Sequence, residues 1–220
     1  SFIAGAVDAF HFWKILAFFL PLTIIIPLKS APSKIASFEI NDIPLIEYVA
    51  SKGKPVIIST GIATLSDIEE ALTACYRMGN SQVALLKCTS AYPSPLEDIN
   101  LKVIPNMKET FGTIVGLSDH TLGYTVPLGA VALGAKIVEK HFTLSRADGG
   151  PDAKFSMEPD EFKEMVVRIR ELEKALGNVT YELTEKQKNS RAFSRSLFFT
   201  EDIKKGELIT EKNMRSIRPG

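Results

Sequence analysis

A chain of 220 residues, 45% apolar and 24% charged, is long enough to bury a sizeable core and lies outside the composition of disordered chains. Its 26 Lys+Arg balance 26 Asp+Glu, so overall charge offers no attraction to nucleic acid or to an anionic membrane. An anionic substrate would have to be held by a local arrangement. The two cysteines, Cys75 and Cys88, share no CxxC spacing, which excludes a disulfide framework and points to free thiols in a reducing compartment, the cytoplasm.

Residues 1–33 form an atypical apolar N-terminal segment, with its strongest run at 15–28 (ILAFFLPLTIIIPL). That run is short for a membrane span of about 20 residues, and Pro21 and Pro27 interrupt it. A buried strand or helix, a membrane segment and a sequence artefact all remain open there, with no membrane association as the working expectation.

From Lys34 the pattern is regular. Apolar runs at 34–40, 55–60, 83–90, 114–120 and 136–144 read as buried strands, and amphipathic stretches at 45–53, 66–79, 101–112 and 126–135 read as the helices between them. Gly53, Gly79 and Gly112 stand just past helices, where a left-handed cap is wanted, and Ser66 to Glu69 has the form of a capping box. A further helix spans 160–177. Continuous apolar strands alternating with helices indicate a parallel α/β sheet. Five such units fit either a doubly wound sheet or the last five units of a (β/α)8 barrel, and both place a site at the C-terminal strand ends. Residues 178–220 are more charged, with short strand-like pieces (SLFFT, ELIT), and read as a linker plus the start of a small β-rich domain.

His120 and His141 close adjacent strands, so two imidazoles could share a divalent cation at one mouth. Glu139 lies two residues before His141 and faces the same side, while Lys140 faces the other. The glycine-rich, acidic loop at 146–159 offers Asp152 as a further ligand or base. Lys34 and Lys87 stand in apolar strands, and Ser37, Ser90 and Ser118 fall near strand ends. Together these suit a small anionic ligand. No GxGxxG, Walker A or GxSxG motif occurs.

The segments KIASFEI, KPVIISTGIATLSDIEEAL, LLKCTSAYPSPLEDINL, GLSDHTLGYTVPLGAVALGAKIVEKHFTL and GGPDAKFSMEPDEFKEMV closely resemble the nonulosonic acid (sialic/pseudaminic acid) synthases, over about Lys34 to Gly220. GGPDAKFSM and TEKQKNSRAFSRSLF are most similar to the pseudaminic acid branch. The resemblance implies a partial (β/α)8 TIM barrel over 34–177, followed over 178–220 by a truncated antifreeze-like (SAF) domain. It also implies condensation of phosphoenolpyruvate with a 2,4-diacetamido-2,4,6-trideoxy hexose, giving pseudaminic acid and phosphate. N-acetylneuraminic or legionaminic acid synthesis, or a non-catalytic metal- or sugar-binding remnant, stand as alternatives. By the same resemblance His120 and His141 are metal ligands for Mn2+ or Mg2+. Lys34, Ser37 and Ser118 match phosphoenolpyruvate positions, and Glu39, Tyr92, Glu139 and Asp152 match positions near the sugar. Ser90 is grouped with the substrate-binding residues, and Glu139 and Asp152 are the catalytic candidates. The family is expected to act as a homodimer on phosphoenolpyruvate and an amino-sugar aldehyde. Family members carry three more barrel strands before KIASFE, and an arginine of the small domain reaches across the dimer. Here Ala6-Val7-Asp8 resembles the family's upstream AVD, residues 9–32 match nothing expected, and an open barrel is expected to leave two sheet edges exposed.

Overall fold

The computed structural model describes residues 14–18 and 32–218. Beyond Phe18, the expectations for the 15–28 run fall outside the described residues, as do those for Ala6-Val7-Asp8 and most of 9–32. Among the described residues no helix is long and apolar enough to cross a membrane. The chain divides into two compact units after Gly177.

In the first unit β1 (Lys14–Phe18) is followed by β2 (Ser33–Ile35), α1 (Ile43–Ala50), β3 (Val56–Ser59), α2 (Leu65–Arg77), β4 (Val83–Cys88), α3 (Val103–Phe111), β5 (Ile114–Asp119), α4 (Thr125–Ala132), β6 (Ile137–His141) and α5 (Pro159–Leu176). The sheet runs β1-β6-β5-β4-β3-β2, with β2 to β6 parallel and in chain order. A doubly wound sheet reverses its strand order and carries helices on both faces. Here the order never reverses, and one face collects all the helices. Ile35, Val56, Ile58, Val83, Leu85, Val115 and Leu117 of that face pack with Ile46, Leu72, Cys75, Ile104, Met107 and Val126 of α1 to α4. Val138 on the same face meets Met165 and Ile169 of α5. The sheet is therefore part of a barrel wall, with Ile57, Ala84, Leu86 and Ile137 packed on its inner face. Burying one such isoleucine or leucine stabilises by about 1.5–3 kcal/mol, so the helix-facing layer carries most of the hydrophobic stabilisation.

Several expected boundaries move for local reasons. The first regular strand ends at Ile35, because Ser37–Glu39 turns into a 3-10 helix whose Glu39 carboxylate accepts the Ala36 N–H at 2.8 Å. The capping box of α2 lies at Thr64 and Asp67 rather than at Ser66 and Glu69, with Thr64 accepting from Asp67 N. Thr64 holds the extended backbone that an N-cap needs, whereas Ser66 is already helical. Gly112 takes the left-handed conformation as expected, at φ +65°. Among the described residues the sheet is open, with β2 at one edge and β1 at the other, because β1 adds beyond β6 with Lys14 opposite His141. That pairing is antiparallel, unlike any strand pair of a closed (β/α)8 barrel.

The second unit contains α6 (Glu185–Arg191), capped by Thr184 and Gln187, and an antiparallel pair of β7 (Ser196–Phe199) and β8 (Met214–Ile217). SLFFT forms a strand as expected. ELIT (207–210) does not, since Asn213 turns the chain there, accepting Thr210 N–H at 2.7 Å and donating to the Leu208 carbonyl at 3.0 Å.

Candidate active site

Strand alternation sorts the chemistry-bearing residues. Lys34, Ser59, Cys88, Ser118, His120, Glu139 and His141 share the parity of the inner-face residues Ile57, Leu86 and Ile137 and lie at the C-terminal strand ends. Lys87 has the opposite parity and donates to the Cys88 carbonyl at 2.7 Å and Thr89 Oγ1 at 3.1 Å. Its place among the anion-binding candidates is thereby corrected.

The His120 and His141 rings lie 5.0 Å apart, close enough to reach one ion. His120 Nδ1 lies 2.9 Å from the Thr89 carbonyl, which can only accept, so Nδ1 carries a proton and Nε2 is the nitrogen left for a metal. His141 Nδ1 faces Asp152 Oδ2 at 3.3 Å, an acceptor that favours a proton on the same ring nitrogen. Asp152 is thus placed to orient this imidazole. Among the described residues no cluster of three or more His, Cys, Asp and Glu could hold a metal. Two imidazoles with both Nδ1 atoms facing acceptors nevertheless fit a divalent ion, which each ring would hold through Nε2 in its neutral form. Tyr92 packs tilted against the His120 ring at 4.3 Å, and Phe155 packs 5.0 Å from His141 and 5.6 Å from Tyr92. These aromatic rings wall the pair.

A polar row adjoins the imidazoles. Ser118 Oγ donates to Glu139 Oε1 at 2.8 Å, Lys34 Nζ lies 3.7 Å from Glu139 Oε2, and Lys34 Nζ donates to Ser59 Oγ at 2.6 Å. Ser37 Oγ accepts the Gly61 N–H at 3.1 Å. Ser90 Oγ is a buried oxygen with no hydrogen-bond partner among the described residues. A Cβ on Gly61 would lie 2.1 Å from Ser90 Oγ and 2.7 Å from Ser37 Oγ, so only glycine lets these serines close on the mouth. Burial would raise the Cys88 thiol, but hydrogen bonds with His120, Ser37 and Ser118 and the electrostatic influence of His120 together outweigh it and bring it down to about 7. Cys75, buried in α2 without such partners, is pushed up to about 11. Glu39 is exposed, and its carboxylate accepts the Ala36 N–H within its own turn.

Ser59, Gly61, Cys88 and Phe155 escaped the sequence reading. Ser59 and Cys88 carried a usable signal, because each has inner-face parity at the end of its strand.

The loop from β6 to α5 is held by Arg146. Its guanidinium donates to both oxygens of Glu161, at 2.6 and 2.7 Å, and to the Ser156 carbonyl at 3.0 Å. Its backbone N–H donates to Glu158 at 2.8 Å. This bracket fixes both ends of the segment carrying Asp152 and Phe155. Arg146→Gln is expected to speed amide exchange across 147–156 severalfold while leaving the sheet protected. Hydrogen-exchange mass spectrometry checks it.

The NeuB family model matches residues 21–181. The chain belongs to the NeuB family. The NeuB match begins before Lys34, inside the stretch expected to match nothing, and ends before most of the second unit. Among NeuB relatives, the chain is 48% identical to the pseudaminic acid synthase of Campylobacter jejuni subsp. jejuni serotype O:23/36 (strain 81-176), over 84% of this chain and 54% of that one. It is 43% identical to the N,N'-diacetyllegionaminic acid synthase of Campylobacter jejuni serotype O:2, over 84% and 57% of the respective chains. The crystal structure of the N-acetylneuraminic acid synthetase from Leptospira borgpetersenii serovar Hardjo-bovis superposes with a TM-score of 0.68 at 37% identity, covering 72% of this chain and 55% of that one. The chain therefore spans about half the length of the NeuB relatives it matches.

Proposed function

We propose that this chain carries the metal- and phosphoenolpyruvate-handling part of a pseudaminic acid synthase. The reaction joins the enol carbon of phosphoenolpyruvate to the aldehyde carbon of a 2,4-diacetamido-2,4,6-trideoxy hexose. Water then adds to the adjacent carbon, and the tetrahedral intermediate collapses with loss of phosphate. The observation that carries the reading is the pair of imidazoles 5.0 Å apart beside the Ser118–Glu139–Lys34 row. His120 and His141 would hold a divalent cation, Mn2+ or Mg2+, and that ion supplies Lewis-acid polarisation of the aldehyde oxygen when bound.

The chain's own groups do the remainder. Lys34, Ser59 and Ser118 offer the ammonium and hydroxyl donors that a phosphate requires, and Ser37 and Ser90 extend that seat at Gly61. Glu139 lies between the seat and His141, placed to accept a proton from water or from a sugar hydroxyl. Asp152 holds His141 in its tautomer, and Tyr92 and Phe155 restrict water around the rings. Greater identity to the pseudaminic than to the legionaminic acid synthase, 48% against 43%, supports the acceptor chosen. The β7–β8 unit is proposed as the start of the antifreeze-like domain, in a cytoplasmic homodimer.

Gly61→Ala is expected to weaken phosphoenolpyruvate binding at least about tenfold while Mn2+ binding persists, because the added methyl strikes the serines and not the histidines. Isothermal titration with each ligand checks it. The function itself is tested by phosphate release from phosphoenolpyruvate with Mn2+ and one of three acceptors, the diacetamido-altrose, its legionaminic counterpart or N-acetylmannosamine. Release favouring the altrose is expected. Preference for another acceptor overturns the sugar assignment, and a chain that binds neither Mn2+ nor phosphoenolpyruvate overturns the whole reading.

A further inference from the structure

The inner-face cluster leaves one buried charged pair unused. Lys140 is among the largest fully buried side chains, 1% exposed, and its ammonium donates to Asp119 Oδ2 at 2.6 Å and to the Thr121 carbonyl. Both side chains lie on the helix-facing side of the sheet, with Leu117 and Val138, away from the mouth. Removing two charges from water is costly, and a well-packed apolar pair would serve that layer at least as well. Stability alone therefore gives no account of an ion pair here.

Its place in the register does. Asp119 and Lys140 are directly paired across β5 and β6, and the next residue on each strand is the histidine of the candidate metal pair. Asp119 also accepts the Thr121 N–H at 2.9 Å and its hydroxyl at 3.1 Å, which ties down the backbone just beyond His120. An apolar strand edge tolerates slippage. A one-residue slip sends a histidine to the wrong face, and a two-residue slip moves it by roughly 6.6 Å. The second displacement exceeds the 5.0 Å between the rings, and the first takes a ring out of the mouth altogether. A short, directional ion pair has no charged partner two residues away on either strand, where the outward residues are Leu117, Thr121, Val138 and Phe142.

We propose that the buried Asp119–Lys140 pair is the register lock that brings His120 and His141 together, making both positioning residues for the metal site. The proposal rests on the reading that the two imidazoles share a cation. The test replaces the pair by the near-isosteric Asp119→Asn/Lys140→Met, which keeps an acceptor for Thr121 and leaves no buried charge. The double variant is expected to unfold cooperatively with a midpoint near the original, yet to bind Mn2+ at least about tenfold more weakly, as when groups that orient ligands are lost. Its metal-free imidazole NMR signals are expected to broaden or double. Unchanged Mn2+ affinity with single sharp imidazole signals in the folded double variant overturns the lock. Should that variant fail to fold, Asp119→Glu keeps the charges while shifting the tie by one methylene, and unchanged affinity there overturns the lock equally. If the unsubstituted chain binds no Mn2+, the functional reading fails, while the imidazole spectra still decide the lock.

Discussion

His120→Ala and His141→Ala are each expected to weaken Mn2+ binding by more than about 100-fold, beyond the 10–100-fold typical of losing an outer partner. The two rings, 5.0 Å apart, are the pair proposed as ligands, and one imidazole alone gives a hard cation no chelate. Asp152→Asn sets the scale for comparison. It leaves both rings in place and disturbs only the 3.3 Å contact at His141 Nδ1, so a loss near tenfold is expected. Electron paramagnetic resonance titration separates the three variants. Mn2+ affinity that survives either alanine substitution would remove the centre from the proposed chemistry.

The largest stability loss is expected for Lys140→Ala, about 3–5 kcal/mol, because it strands the Asp119 carboxylate with no compensating cation in a fully buried layer. Urea denaturation measures it as a lowered midpoint with an unchanged slope. The Arg146 pairs with Glu158 and Glu161 make a useful contrast. They are half-exposed and screened by water, so Arg146→Gln should barely shift the midpoint while freeing the loop. A loss below about 1 kcal/mol for Lys140→Ala would mean that water reaches Asp119.

Much of the fold was legible before any coordinates. The runs at 55–60, 83–90, 114–120 and 136–144 were continuous enough in Val, Ile and Leu to identify parallel strands, and all four formed. Local hydrogen bonding was harder to read. Glu39 reaches back to Ala36 and ends β2 early, and Asn213 turns the chain where ELIT might have paired. Such contacts depend on side-chain reach that hydrophobic period does not encode. The site was legible at His120, His141 and Glu139 because position at a strand end and parity along it are one-dimensional facts. Parity sets Lys87 on the helix-facing side, and the Glu39 carboxylate accepts the Ala36 N–H of its own turn.

By itself the sequence determined the strand and helix alternation, the family, and which residue types stand at the strand ends, since period two and period 3.6 are properties of local chain order. Tertiary structure alone decided that the strands follow one another without reversal, which makes a barrel wall rather than a doubly wound sheet. It also decided that β1 adds beyond β6 in the antiparallel sense, and that Asp119 meets Lys140 behind the histidines. Those facts concern residues far apart in the chain, whose meeting depends on register and on the neighbours competing for the same buried space.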